Sequence, residues 1–442
     1  MNPPSFLRRV LPGVVALPAA TLLGWPGVAL AGGGGGKGDL EQTLGAASLL
    51  VLVALAYLLA HLVLARLERR FLFVSGFEYL LLGCLIAVAR MMGTGLPGDP
   101  VQVLPIVALA AGWFGLLSGF HTKRSEFATE PTGTFSIALL DMIFAGLSTG
   151  TISYFLARWA GGGEHALVIG GTIGCFAATG GTSPIDVVKQ RYKVQGKLVP
   201  VIRRAAELSD VLALAMLGFF LIPEGATALP TTGTPLWLGA LGLLLGAGLG
   251  LFFVPFLGRD PSPNSQFLAL VGIITFGSGA AYLLDISPLP VNLALGAVFI
   301  NVSRAGRQLR STLEQTERPM SLVLYVFAGA LWLPPHSAGE WLATLAAATA
   351  VIFFRWIGKV AGAFASTVAG QGRADLYRGL LGQGHVAIAM AVSFRLLYSG
   401  TFATNAAYTA MLASVVFYDF LAPRTLRVLL ADAHQIRKEQ EA

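Results

Sequence analysis

Charge is scarce in this 442-residue chain: 12% of its residues are Asp, Glu, Lys or Arg, while 55% are hydrophobic and the mean hydropathy is +0.70. Soluble domains carry about 25% charged residues, so an ordinary soluble fold is excluded. Cysteine is scarcer still. Cys84 and Cys175 both fall in apolar stretches, which excludes a disulfide framework and a thiolate metal site and leaves two inert, buried thiols. Acidic residues are the minority charge, 23 against 30 basic ones, for a net +7. In a soluble protein that excess would suggest nucleic acid, but here it follows the topology. What the chain has in abundance is long apolar runs, and it reads as an all-α polytopic membrane protein.

Residues 1–31 combine Arg8 and Arg9, a short apolar core and a small-residue ending, Ala29-Leu30-Ala31, the pattern of a cleavable signal peptide. An uncleaved extra helix is the alternative. The Gly-rich residues 32–42 would then be a flexible, exposed start to the mature chain.

Apolar runs of about 20 residues cross the hydrocarbon core as helices, because a helix satisfies its own backbone groups. Thirteen follow the signal segment, near residues 43–65, 71–90, 101–120, 133–157, 165–188, 203–223, 236–257, 265–285, 288–303, 319–334, 338–367, 377–398 and 405–425. Basic residues should then gather on every second side. With an outside N-terminus, 22 of the 30 fall on inward segments: Arg66, Arg69 and Arg70; Lys123 and Arg124; the run from Lys189 to Arg204; Arg259; Arg304 to Arg318; Arg373 and Arg378; and Arg424 to Lys438. Outward segments hold Arg90, Arg158 and Arg395, near span ends where their stems could snorkel. The alternation makes a nucleic-acid partner unnecessary. It predicts a multi-pass protein of a bacterial inner membrane with a short cytoplasmic tail at 427–442.

Within the spans, a charge costs at least about 2.5–3.5 kcal/mol on insertion scales, so such residues should face protein or a watery cavity. Glu207 and Asp210 share a face of the sixth span at i,i+3, and Arg355 and Lys359 share one of the eleventh at i,i+4. Asp141 lies on the fourth span and Asp419 near the inner end of the thirteenth, while Glu78 and Asp285 sit at span ends as interfacial groups. Taken singly, each buried charge could belong to a structural salt bridge. Two other spans shift the balance. FAATGGTSPID, Phe176 to Asp186, should interrupt the fifth span, and GLLGQGHVAIAMA, Gly379 to Ala391, should interrupt the twelfth. Two interrupted helices, each flanked by continuous spans, are the pattern of transporter repeats, with spans four to six answering spans eleven to thirteen. Repeat starts seven spans apart reverse orientation, which implies inverted topology. Each break would expose half-helix termini and their dipoles near the midplane.

The segment ATGGTSPIDVVKQRYKVQGKLVPVIRRAAELSDVLALAML, followed in order by NLALGAVFINVSR with ERPMSLVLYVFAGALW, then FFRWIGKVAGA, then RGLLGQGHVAIAMA, resembles the monovalent cation:proton antiporters of the sodium/hydrogen exchanger superfamily. The likeness covers most of the chain. It implies about thirteen helices with an inverted repeat, a mobile core (about 133–223 and 338–425) and dimerisation helices (about 43–120 and 236–334) within a transmembrane domain spanning 43–426. It also implies exchange of Na+ or K+ for H+ by alternating access in a homodimer, without a cofactor. By position, Asp210 matches the family's ion-binding aspartate. In a poorly solvated site a proton and a small cation compete for that one charge, and mutually exclusive occupancy gives exchange. Thr182 and Ser183 in the break could supply oxygen ligands. Lys359 matches the family's Gly-Lys motif, and it or Arg355 would stabilise Asp210 or the broken-helix ends.

One position departs from the family. Where it has Asn-Asp or Asp-Asp, this chain has Ser209-Asp210, and Ser209 cannot pair ionically with Lys359. Electroneutral exchange is the favoured stoichiometry. Glu207 is either a second titrating carboxylate or an ion-pair partner of Arg203 or Arg204. His385, in the twelfth-span break, is a possible pH modulator or a packing residue. Asp186 and Asp419 should pair with basic inner loops, and QLRSTLEQTERP reads as a basic connecting helix. Asn301-Val-Ser303 fits a glycosylation pattern, but its inward position argues against use. The residues after the last span are too few for a nucleotide-binding regulatory domain. Two other functions compete: an organic-anion transporter or transporter-like sensor using the basic pair, and an intramembrane aspartyl protease using Asp141 and Asp210, whose Gly-x-Gly-Asp context is absent.

Overall fold

Proline, glycine and hydroxyl residues set where the apolar runs start and stop as helices. Ser287 accepts the Leu289 amide at 3.3 Å ahead of Pro288, Ser337 accepts that of Glu340 at 3.2 Å, and Thr401 accepts that of Thr404 at 3.2 Å, each satisfying an orphan donor of a first turn. The computed structural model describes residues 76–91, 104–127, 133–221, 234–255, 263–303, 306–370 and 372–436, all within the unit formed by Val53–Gly95 and Pro100–Ala442. The predicted signal segment, the Gly-rich residues 32–42, the first span, Arg66, Arg69, Arg70, Arg259, Arg304 and residues 437–442 lie outside the described residues.

The described helices are α1 (Phe77–Met91), α2 (Leu104–Phe120), α3 (Arg124–Phe127), α4 (Thr134–Trp159), α5 (Ala166–Ala178), α6 (Ser183–Arg191), α7 (Leu198–Phe220) and α8 (Thr234–Phe253). They continue with α9 (Pro263–Leu283), α10 (Pro288–Val302), α11 (Gly306–Ala330), α12 (Ala338–Val368), α13 (Tyr377–Leu380), α14 (Gly384–Leu397) and α15 (Phe402–Asp432). Among the described residues there is no strand; an isolated bridge joins Val194 to Ile436. Five segments are long and apolar enough to cross a membrane: Thr134–Trp159, Ala166–Arg191 (α5 with α6), Ser265–Leu283, Ala338–Val368 and Phe402–Asp432. A sixth is the pair Ala374–Leu380 and Gly384–Leu397, bent by 66°. Leu85, Leu147, Phe155, Trp237 and Phe364 are each exposed by 59% or more, an outward apolar surface unlike that of a soluble monomer.

Both expected interruptions are present. Helix stops at Ala178 and resumes at Ser183, and it stops at Leu380 and resumes at Gly384. The two breaks meet. A side chain at Gly181, whose φ is +42°, would lie 2.6 Å from the Gln383 carbonyl carbon, so the crossing needs glycine for both conformation and space.

One expectation is corrected. The basic QLRSTLEQTERP segment and the tenth span are not two elements; they form the single helix α11, which continues through Pro319.

The loops that the charge pattern assigns to one side converge. Arg310 reaches Glu126 at 2.8 Å, Arg124 donates its amide to Asn301 at 2.8 Å, Arg378 pairs with Asp432 at 2.9 Å, and Gln195 donates its amide to the Gln435 carbonyl at 3.0 Å.

Helix α12 packs along α4 where Gly358 faces the α4 backbone. A Cβ at Gly358 would sit 2.6 Å from Ala145 Cα and collide with Ser148. Gly358→Leu should therefore overpack this contact, at a cost of about 1–3 kcal/mol or more, and lower the melting temperature of the purified protein. Gly248→Leu, at a position with no neighbour within 4 Å, should leave it unchanged.

Candidate functional site

The two breaks leave carbonyls without intrahelical partners at the C-terminal ends of α5 and α13, each a centre of partial negative charge. Arg355 and Lys359, one turn apart on α12 and both fully buried, are aimed at them. Arg355 donates to carbonyls from both breaks: Ala177 at 3.0 Å, Thr179 at 2.9 Å, Leu381 at 2.8 Å and Gly382 at 3.0 Å. Its guanidinium lies 4.3 Å from the centre of the Tyr418 ring, whose hydroxyl donates to the Ile352 carbonyl at 2.6 Å. A planar fork with five donors suits this task; an ammonium could not span it. Lys359 donates to the Thr179 carbonyl at 2.9 Å and the Ala178 carbonyl at 3.3 Å, and forms an ion pair with Asp141 at 2.6 Å. Of the two alternatives for these bases, the contacts are with the broken-helix ends. Neither forms an ion pair with Asp210 among the described residues.

Asp210 meets the first break at the peptide whose carbonyl, that of Thr179, accepts from Arg355 and Lys359. Its Oδ1 accepts the Gly180 amide at 2.9 Å, and the residue is 7% exposed. It borders a cavity of about 30 Å³ shared with Thr182, Glu207, His121, Glu317 and His385. A single water needs about 10–15 Å³, so the space accommodates a water or a largely dehydrated small cation. Thr182 lines it. Ser183 does not; its buried hydroxyl has no hydrogen-bond partner and lies between the two breaks.

Glu207 takes the ion-pair alternative: Arg203 approaches it at 3.4 Å and Arg204 at 3.3 Å, so its charge is compensated from its own helix. Ser209 faces away from the cavity toward α4, with its hydroxyl 3.4 Å from the Ala138 carbonyl and 3.5 Å from Asp141 Oδ2. Asp186 pairs with Arg203 at 3.1 Å, as expected.

Three expectations change. Asp419 does not pair with a basic loop: it is 1% exposed and accepts from the Tyr325 hydroxyl at 3.3 Å. Arg395 does not snorkel but donates to the Leu331 carbonyl and to Asn405 at 2.7 Å. Glu78, expected at the interface, is buried and accepts the Gly76 amide at 3.1 Å. His385, read as modulator or packing residue, is held at 2.7 Å by Glu317, which also lines the cavity. Glu317 escaped the sequence reading because it sits among basic residues; its available signal was an acid directly before Arg318 and Pro319 at a span edge. Tyr418 carried no signal beyond its place next to Asp419.

Among the described residues no group of three or more His, Cys, Asp or Glu side chains is arranged to hold a metal ion. The arrangement offers a buried carboxylate, Asp210, that has no ion pair among the described residues and faces a small cavity beside an amide of the first break.

Two solved structures share this architecture. The sodium proton antiporter MjNhaP1 from Methanocaldococcus jannaschii at pH 8 matches with a TM-score of 0.60 at 16% identity, over 88% of this chain and 99% of that one. A structure of the same antiporter from an electron-microscopy map matches with a TM-score of 0.55 at 14% identity, over 86% and 95%. At these identities the likeness concerns the fold. A search of curated proteins finds no match. The family described as sodium/hydrogen exchanger, transmembrane, matches residues 116–432, a stretch that contains both broken helices, the basic pair and the carboxylates Asp141, Glu207, Asp210, Glu317 and Asp419. The chain is accordingly a multi-pass membrane protein that belongs to the sodium/hydrogen exchanger family.

Proposed function

We propose that the protein exchanges Na+ or K+ for H+ by alternating access, with Asp210 as the group that holds the cation and the proton in turn. The observation that carries this reading is the isolation of Asp210. Every other acid around the breaks has a charged or hydroxyl partner: Asp141 has Lys359, Glu207 has Arg203 and Arg204, Glu317 has His385, and Asp419 has Tyr325. Asp210 has a backbone amide and a cavity. A desolvated carboxylate in that situation strongly favours neutralisation, by a proton or by a monovalent cation, and one charge cannot hold both. Thr182 and backbone oxygens of the break complete the cation's shell. One carboxylate turning over once per cycle, with Lys359 and Asp141 neutralising each other, makes the exchange electroneutral. Glu207 acts as the inner-loop ion pair rather than as a second titrating site.

The same reading extends to the architecture. Thirteen spans form an inverted repeat, α4 to α7 answering α12 to α15, with the breaks and their flanking helices as the moving core and the remaining helices as the scaffold of a homodimer. The converging loops face the cytoplasm of a bacterial inner membrane, and His385 with Glu317 modulates access to the cavity. The organic-anion reading finds less support, because both buried bases spend their donors on carbonyls and on Asp141. The protease reading finds less too, since Asp141 and Asp210 have separate partners.

In proteoliposomes, a pulse of Na+ or K+ should move protons against the cation, and Asp210→Asn should reduce that signal to the level of protein-free liposomes. Cation-driven proton movement that survives Asp210→Asn contradicts the mechanism. Because proton and cation share one carboxylate, the apparent cation affinity should weaken as pH falls, approaching about tenfold per pH unit for a one-proton competition. In a background lacking Cys84 and Cys175, Lys193→Cys should react with an impermeant thiol reagent from the cytoplasmic face and Ala160→Cys from the opposite face.

A further inference from the structure

The dipeptide before the ion-site carboxylate raises a problem of charge. Lys359 is fully buried against carbonyl oxygens, and the neighbouring position on α7 that could have carried an acid is Ser209. A buried ammonium with only neutral acceptors is costly, and hydrogen bonds alone do not replace a counter-charge. The structure assigns that counter-charge to Asp141: we infer that the acid which balances Lys359 stands on α4 rather than at position 209 of α7, and that Asp141 serves there as a positioning residue that holds Lys359 charged at the first break. The inference rests on the exchanger reading above for its functional meaning, though not for its geometry.

Three observations carry it. Asp141 Oδ2 lies 2.6 Å from Lys359 Nζ, both side chains at most 2% exposed, and no other ion pair of Lys359 exists among the described residues. The hydroxyl of Ser209 lies 3.5 Å from the same Oδ2, so the two positions flank one point in space and a carboxylate could reach it from either helix. The helices are also shaped for the pair. Gly358 and Gly362 flank Lys359, and a Cβ at Gly362 would lie 2.9 Å from Asp141 Cα, so α12 reaches α4 only because these positions lack side chains. Asp141 is little engaged otherwise: its Oδ1 has no hydrogen-bond partner, so the carboxylate is present for its charge rather than as part of a hydrogen-bonded framework.

A charge-relocation series tests this. Asp141→Asn should lower both the melting temperature and the exchange rate, the latter on the order of tenfold or more, since it strands a buried ammonium. Adding Ser209→Asp should recover both, to within about threefold of wild type in rate, whereas adding Ser209→Asn should recover neither. Adding Lys359→Met to Asp141→Asn should raise the melting temperature above that of Asp141→Asn alone without restoring exchange. This last variant decides the case if the Ser209→Asp double variant does not fold. Wild-type behaviour of Asp141→Asn overturns the inference. So does equal recovery by Ser209→Asn and Ser209→Asp, or no gain in melting temperature from either Ser209→Asp or Lys359→Met. A wild-type protein that exchanges no cation would instead sink the exchanger reading, and the melting series would still judge the pair.

Discussion

Two cations buried on one turn of α12 hold this structure together at its centre. A helix broken inside a membrane leaves carbonyls that water cannot reach, and a chain that breaks two helices at one level doubles the problem. Arg355 addresses both breaks at once, since its fork reaches Ala177 and Thr179 on one side and Leu381 and Gly382 on the other. Lys359 adds a second cation at the first break. The crossing, where Gly181 meets Gln383, is tied by the same guanidinium, which holds carbonyls of both segments.

The rest follows from charge balance. Two buried cations require compensation, which the carbonyl termini supply in part and Asp141 supplies in full for Lys359. The Thr179 carbonyl that these cations hold belongs to the peptide whose amide, that of Gly180, points the other way, and there Asp210 finds a favourable but uncharged partner. That one peptide separates the acids: Asp141 is in an ion pair with Lys359 on its carbonyl side, and Asp210, on its amide side, borders a cavity. A site that must bind and release a charge cannot carry a permanent partner, so the lone position of Asp210 is a requirement of the proposed chemistry rather than an accident of packing.

Much of this was legible in the sequence because it is local. Apolar run length located the helices, Gly-Gly-Thr-Ser-Pro and Gly-Gln-Gly-His located the breaks, and helical spacing put Arg355 with Lys359 and Glu207 with Asp210 on shared faces. What stayed hidden is every choice of partner across helices. Periodicity assigns Asp141 to a face of α4 but says nothing of which of the other helices meets it, so its pairing with a lysine 218 positions away could not be read. Glu317 was masked by basic neighbours, and Asp419 was expected to pair with basic loop residues because its depth along α15 depends on where that helix ends, at Asp432. Local competition did resolve one ambiguity by proximity alone: Glu207 lies one turn from two arginines on its own helix, and they claim it.

The central claim is that one carboxylate serves proton and cation in turn. The most direct measurement is proton release from the purified protein in weakly buffered solution as Na+ or K+ is added, with cation binding followed by calorimetry in buffers of different ionisation enthalpy. The account predicts about one proton released per cation bound at pH values where Asp210 begins protonated, with release and binding lost together in Asp210→Asn. Saturable cation binding with no proton release at any pH would contradict it.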